Sequence, residues 1–227
     1  MIVKIKRQIS SKAEPYWQSF EYSGNRNVTV ATVLDELNST ENLLDIEGNP
    51  AKPIKWECSC NQKMCGGCAM VINKTPALAC GVFLNSIYGN ILILEPLSKF
   101  PTIEDLMVDR SIIEQNLRQA NVYIGEFPGF CEKEHSHQYS VAKCLKCGLC
   151  LEVCPNYVKG QNFFGALFAN NIYLARSQSK DRKNELKKEY SKHFASGCSK
   201  SLSCQRICPA NIPTIASISK MNTLISE

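Results

Sequence analysis

The sequence has little that would mark a secreted, membrane-spanning or self-sufficient catalytic protein. No stretch of its 227 residues reaches the roughly 18–20 apolar residues needed to cross a bilayer. Ile91–Leu94 is too short, and Asn170 and Asn171 interrupt Phe163–Ala175. Any membrane association is therefore expected to come through a partner or the surface. Met1–Ser10 alternates apolar and basic positions and lacks the apolar centre of a secretory leader. Histidine is scarce, with three residues, and no Gly-rich nucleotide fingerprint, Ser-His-Asp set or pair of catalytic carboxylates stands out. The net charge of +5 is mild and reads as a mixed, solvated surface, with no nucleic-acid partner expected.

Against these shortages stands one surplus, 13 cysteines. In a chain without an export signal, such richness points to metal ligation rather than a disulfide framework. A full set of disulfides would also need an even number. Hydrophobic content of 44% and charged content of 21% otherwise describe an ordinary globular chain.

The expected fold class is α+β. Residues 2–6 and Trp17–Tyr22 read as strands, and Thr29 as the cap of a short helix with Val33, Leu34 and Leu37 on its apolar stripe. Ala69–Ile72, Leu78–Cys80 and Ile91–Leu94 read as further strands, with a turn at Asn73–Pro76. Beyond Pro101, helical patterns are read at Ile103–Val108, Ile112–Ala120, Gly165–Ser177, Lys183–Phe194 and Ile212–Leu224. Two domains are expected, residues 1–105 with strands and one helix, and residues 106–227, mostly α.

The cysteines fall into three groups. Cys60, Cys65, Cys68 and Cys80 are spaced C-x4-C-x2-C-x11-C, and the triplet matches the plant-type pattern that holds a [2Fe–2S] cluster. Gly66 and Gly67 would permit the unusual backbone angles such a wrapped loop needs. Structural zinc also takes four thiolates, but usually on two separated knuckles. Cys58 is an extra thiol two residues before Cys60 and is the alternative ligand to it, while the x4 spacing favours Cys60.

Residues 144–155 read C-x2-C-x2-C-x3-C-P, the bacterial ferredoxin run, whose fourth cysteine serves the other cluster in two-cluster proteins. Residues 198–209 read C-x2-S-x2-C-x3-C-P, the same motif with Ser201 at the second position. Aligning the two runs assigns Cys144, Cys147, Cys150 and the crossing Cys208 to a [4Fe–4S] cluster. The reciprocal set is Cys154, Cys198 and Cys204, one thiolate short, which predicts a [3Fe–4S] cluster. Iron ligation by the Ser201 oxygen is the alternative that would retain four irons.

A [2Fe–2S] domain followed by these two ligand sets resembles the iron–sulfur subunit of the succinate dehydrogenase and fumarate reductase family. The resemblance covers nearly the whole chain, including Glu95-Pro96-Leu97, Asp105–Asp109 and Phe164–Ser177. It implies a plant-type ferredoxin (β-grasp) domain followed by a bacterial two-cluster ferredoxin-like domain. It also implies a relay between the FAD of a flavoprotein subunit and a quinone. Such a subunit is peripheral, on the cytoplasmic side of the membrane, and held through its partners, membrane-anchor subunits among them. Pro155, Lys159 and Ser199 fall in the family's quinone vicinity, where many members carry tryptophan after the first C-P and histidine after the cysteine matching Cys198. This chain has Tyr157, Val158 and Lys159, and then Ser199, so only Pro155 matches. The same relay serving another flavoprotein, such as a thiol-driven fumarate reductase, and a free-standing ferredoxin-like carrier stay open.

The remaining candidates are read as bland. His135 and His137 fall in an expected polar linker, His193 at the carboxyl end of a charged helix, and Cys131 as a spare thiol.

Overall fold

A computed structural model describes residues 1–129 and 131–226, and the chain divides into two compact units, Met1–Asp109 and Arg110–Glu227.

In the first unit, β1 (Ile2–Arg7) and β2 (Tyr16–Glu21) pair antiparallel, and α1 (Val30–Asn38) follows. Next come β3 (Ala69–Ile72), β4 (Thr75–Leu78) and β5 (Ile91–Glu95). They form a five-stranded sheet in the order β2-β1-β5-β3-β4, with β1 and β5 parallel. Alternation along β1 buries Val3 and Ile5, and α1 adds Val30, Val33, Leu34 and Leu37 to the same core. Thr29 caps α1 by accepting from the Thr32 amide at 3.2 Å, which removes one of the orphan donors of the first turn. Pro76 is tolerated because β4 lies at the sheet edge.

Three local expectations change here. The expected strand at Leu78–Cys80 stops at Leu78, and a 3-10 turn at Ala79–Gly81 carries Cys80 instead. The expected helix at Ile103–Val108 is a hairpin of β6 (Thr102–Glu104) and β7 (Met107–Val108). Asp105 at φ +47° breaks any helix there. The unit boundary falls after Asp109 rather than after residue 105, because that hairpin is tied into the first unit.

The tie is a buried ion pair. Arg7 ends the inward-facing row of β1 at 2% exposure, and Asp105 is 1% exposed. Arg7 Nε stands 2.9 Å from Asp105 Oδ1, while Arg7 also donates to Gln18, Lys52 O and Pro53 O. Asp105 accepts from the Gln8 and Lys55 amides. Removing one member of such a pair strands a buried charge, at a cost of about 3–5 kcal/mol. Asp105→Asn is therefore expected to lower the urea stability of this unit by that amount. Trp17 and Trp56, its two tryptophans, report on the transition, and a loss below about 1 kcal/mol would contradict the account.

The second unit is helical: α2 (Ser111–Gln119), α3 (Glu132–Ala142), α4 (Leu149–Glu152), α5 (Gly165–Gln178), α6 (Lys183–His193), α7 (Ser203–Arg206) and α8 (Thr214–Ser226). Helix α5 is buried nearly all round, as a central helix must be. Its interrupting amides are satisfied, Asn170 donating to Thr214 Oγ1 and Asn171 to Leu167 O. Among the described residues, no helix is long and apolar enough to cross a membrane.

The segment read as a polar linker around His135 and His137 is helix α3. Glu134 holds it in place, pairing with Lys220 of α8 at 2.5 Å and accepting from Tyr173 of α5. Those hydrogen bonds, Lys220 first, hold the Glu134 carboxyl below the usual range. His137 reaches Ser217 Oγ at 3.0 Å and meets the Tyr173 ring edge-on. His193 also departs from expectation. It is 1% exposed, stacks on Phe164 at 4.0 Å and has Nδ1 3.0 Å from Asn162 O. Leu186, Tyr190 and His193 recur at helical spacing on the inner face of α6, so the imidazole packs as an aromatic ring rather than serving the helix end.

Candidate metal centres

The first cysteine loop lies between α1 and β3, with Gly66 at φ +77°, a conformation that glycine adopts without strain. Its four thiols stand as two pairs. Cys68 Sγ is 3.3 Å from Cys80 Sγ, and Cys60 and Cys65 are hydrogen-bonded to each other. A two-iron cluster needs this division, because each iron takes two thiolates and shares two sulfides.

Backbone amides converge on the same sulfurs. Gln62 and Met64 donate to Cys60 Sγ, and Lys63 to Cys80 Sγ, all at 3.3 Å, while Gly67 donates to Cys65 Sγ at 3.5 Å. Those donors, Gln62 first and Met64 next, bring the Cys60 thiol down to about 7. Burial pushes Cys68 up to about 12. Cys58 instead donates its thiol to Asn61 Oδ1 at 2.8 Å and is raised, chiefly by burial. Amide hydrogen bonds to sulfur are a lever on cluster potential.

The second and third groups share one backbone. Lys146 and Lys200 both lie in the left-handed region at φ +50° and +58°. Gly148 and Leu202, the residues before α4 and α7, lie there too at +86° and +63°. Five hydrogen bonds then repeat at an offset of 54 residues. Leu151 N to Gly148 O matches Gln205 N to Leu202 O, and Glu152 N to Gly148 O matches Arg206 N to Leu202 O. Val153 N to Leu149 O matches Ile207 N to Ser203 O, and Cys154 N to Leu151 O matches Cys208 N to Gln205 O. Tyr157 N to Cys154 O matches Asn211 N to Cys208 O. Ser201 thus occupies the backbone slot that Cys147 fills in the first copy.

The two copies exchange their last cysteines. One cavity is lined by Cys144, Cys147, Cys150 and Cys208, and also by Cys204, which lines both cavities. The other, of about 420 Å³, is lined by Cys154, Cys198, Cys204 and Ser201. Ser199 lines this second cavity as well, whereas Pro155 and Lys159 are exposed on the loop after Cys154 and do not line it. Ser219, Asn222 and Thr223 add a polar wall from α8. Sequence reasoning missed them, and the i, i+3, i+4 spacing of Ser219, Asn222 and Thr223 in the last helix was the available signal.

Burial pushes the Cys144, Cys147, Cys150 and Cys204 thiols up, Cys147 to about 11 and Cys150 well above the ordinary thiol value. Ligation replaces the thiol proton with a metal, and sulfur-only donor sets of this kind suit iron–sulfur clusters or zinc. Among the described residues, no three His, Cys, Asp or Glu side chains converge as ligands of one ion do. Thiols that hold different irons of one cluster stand further apart.

A sheet-and-helix unit with paired thiols, followed by a helical unit with two exchanged cysteine runs, defines a ferredoxin-type iron–sulfur protein. The chain belongs to the 2Fe-2S iron-sulfur cluster binding domain family, whose model matches residues 2–115, and residues 140–212 match a 4Fe-4S dicluster domain. It is 29% identical to the succinate dehydrogenase iron-sulfur subunit of Bacillus subtilis (strain 168), over 96% of this chain and 89% of that one. It is 28% identical to the fumarate reductase iron-sulfur subunit of Escherichia coli O6:H1, over 80% of each. In fold it is similar to a chain of the Mycobacterium smegmatis Sdh1 complex in the apo form. The TM-score there is 0.80 at 20% identity, covering 99% of this chain and 95% of that one.

Proposed function

We propose that the chain is the electron-transfer iron–sulfur subunit of a succinate dehydrogenase or fumarate reductase complex, working between the FAD of a flavoprotein subunit and a quinone. Cys60, Cys65, Cys68 and Cys80 would hold a [2Fe–2S] cluster. Cys144, Cys147, Cys150 and Cys208 would hold a [4Fe–4S] cluster, and Cys154, Cys198 and Cys204 a [3Fe–4S] cluster. The clusters supply the one-electron chemistry. The chain's own residues bind and order them, exclude water by burial, and set their potentials through amide donors and charge.

The observation that carries this reading is the repeated backbone with its last cysteines exchanged, a device that fits two cubanes held side by side. The names of the curated relatives support the complex, and the family's membrane-anchor subunits would complete it. At the quinone end, Ser199 faces the second cavity while Pro155 and Lys159 do not. That departure favours a second reading, in which the relay serves an electron acceptor other than quinone.

Oxygen-protected protein should be brown and carry about nine irons per chain, from two, four and three. It should co-purify with a flavin-bearing subunit whose activity on succinate or fumarate is lost when the clusters are removed. A colourless, zinc-loaded protein would overturn the reading, and a flavoprotein partner inert toward both acids would move it to another flavin dehydrogenase.

A further inference from the structure

Helix α6 and the two residues before it look, in sequence, like a mixed-charge face. In the folded unit the two signs part company. Asp181 accepts from the Glu126 amide at 3.3 Å and lies against Gly125. Glu185 is held by Arg182 through two contacts, at 2.6 and 3.0 Å. Glu189 turns toward the buried His193, at 3.4 Å. Each acid is thus engaged within the unit. Lys183, Lys187, Lys188 and Lys192, by contrast, have no ion pair among the described residues; Lys188 and Lys192 lie opposite the buried row of Leu186, Tyr190 and His193, Lys187 is half-exposed beside them, and Lys183 is exposed at the start of the helix. Asn184 and Ser191 share a shallow depression with Lys187, Lys188 and Lys192; Ser191 donates its hydroxyl to Lys187 O at 3.1 Å, so Asn184 is the neutral donor set beside the ammonium groups.

We infer that this face of α6 docks directly on an anionic phospholipid surface, so that the chain itself contributes to membrane attachment. The four lysines spread over about 14 Å of helix, and together with Arg182 they outnumber the three carboxylates of the segment, Asp181, Glu185 and Glu189, so positive charge is in excess. The face offers no aromatic, leucine or arginine side chain, the types that anchor protein partners, and lysine is depleted from protein interfaces. A fluid, laterally uniform sheet of phosphates asks for charge alone. Each lysine near such a surface strengthens attachment roughly five-fold, and the effect fades within a Debye length.

The test is co-sedimentation of the cluster-loaded full chain with vesicles of phosphatidylcholine containing phosphatidylglycerol, against vesicles of phosphatidylcholine alone. The expected result is binding to the anionic vesicles only, weakened by added salt. Replacing Lys183, Lys187, Lys188 and Lys192 together by Gln should reduce binding by on the order of a few hundred-fold, with the cluster absorption unchanged. The same four positions changed to Arg should retain it. Equal binding of wild type and the Gln variant, or no preference for the anionic vesicles, would overturn the inference. So would lysine-dependent binding to duplex DNA without vesicle binding. Vesicle attachment is read without electron transfer, so its failure leaves the relay untouched, and the reverse also holds.

Discussion

Ser201→Cys is expected to convert the proposed three-iron centre into a four-iron one. The oxidised protein should lose its three-iron paramagnetic resonance signal, and the iron count should rise from about nine to about ten per chain. The expectation rests on backbone equivalence rather than on spacing alone. Ser201 sits between left-handed Lys200 and left-handed Leu202, as Cys147 sits between Lys146 and Gly148. A thiol placed there starts from the same frame that presents Cys147 and enters the cavity already lined by Cys154, Cys198 and Cys204. Persistence of the three-iron signal in fully loaded mutant protein would show that the two frames are not equivalent at the cluster. A wild-type protein without that signal, carrying about ten irons, would instead assign the Ser201 oxygen as a ligand.

Cys60→Ala should abolish the [2Fe–2S] centre and bring the iron count to about seven, whereas Cys58→Ala should leave the centre in place. The two thiols are two residues apart, and their surroundings differ. Cys60 Sγ accepts from two backbone amides, an environment that favours a thiolate. Cys58 Sγ donates to the Asn61 side chain and accepts from one backbone amide, that of Asn61, and burial outweighs it and raises the thiol. Its ordinary role is then to hold Asn61, which lies in the left-handed region at φ +52°, at the mouth of the loop. Visible absorption and the reduced paramagnetic signal of each variant check this. A centre that survives loss of Cys60 and disappears with Cys58 would reverse the ligand assignment.

Much of the fold could be read along the chain because its signals are local. Alternation in β1, the Thr29 cap and the stripe of α1 each depend on a few neighbouring residues. The Ile103–Val108 segment was misread because its partners are distant. Asp105 is decided by Arg7, Gln8 and Lys55, none of which a short window contains. His193 was misread for the same reason, since Phe164 and Asn162 are brought to it by packing. Leu202 shows a third kind of limit. Leucine carries no preference for the left-handed region, and only the repeated frame around the cysteines places it there.

The chain by itself determined its metal chemistry. Thiolate ligation is written in residue type and spacing, and an internal repeat exposes the one position where a serine replaces a cysteine. Tertiary structure alone decided that Asp105 is held by Arg7, Gln8 and Lys55, that His193 stacks on Phe164, and that Ser219, Asn222 and Thr223 line the cavity of the last cysteine group. Those outcomes depend on contacts between residues far apart in sequence, and such contacts exist only once the backbone has been folded around them.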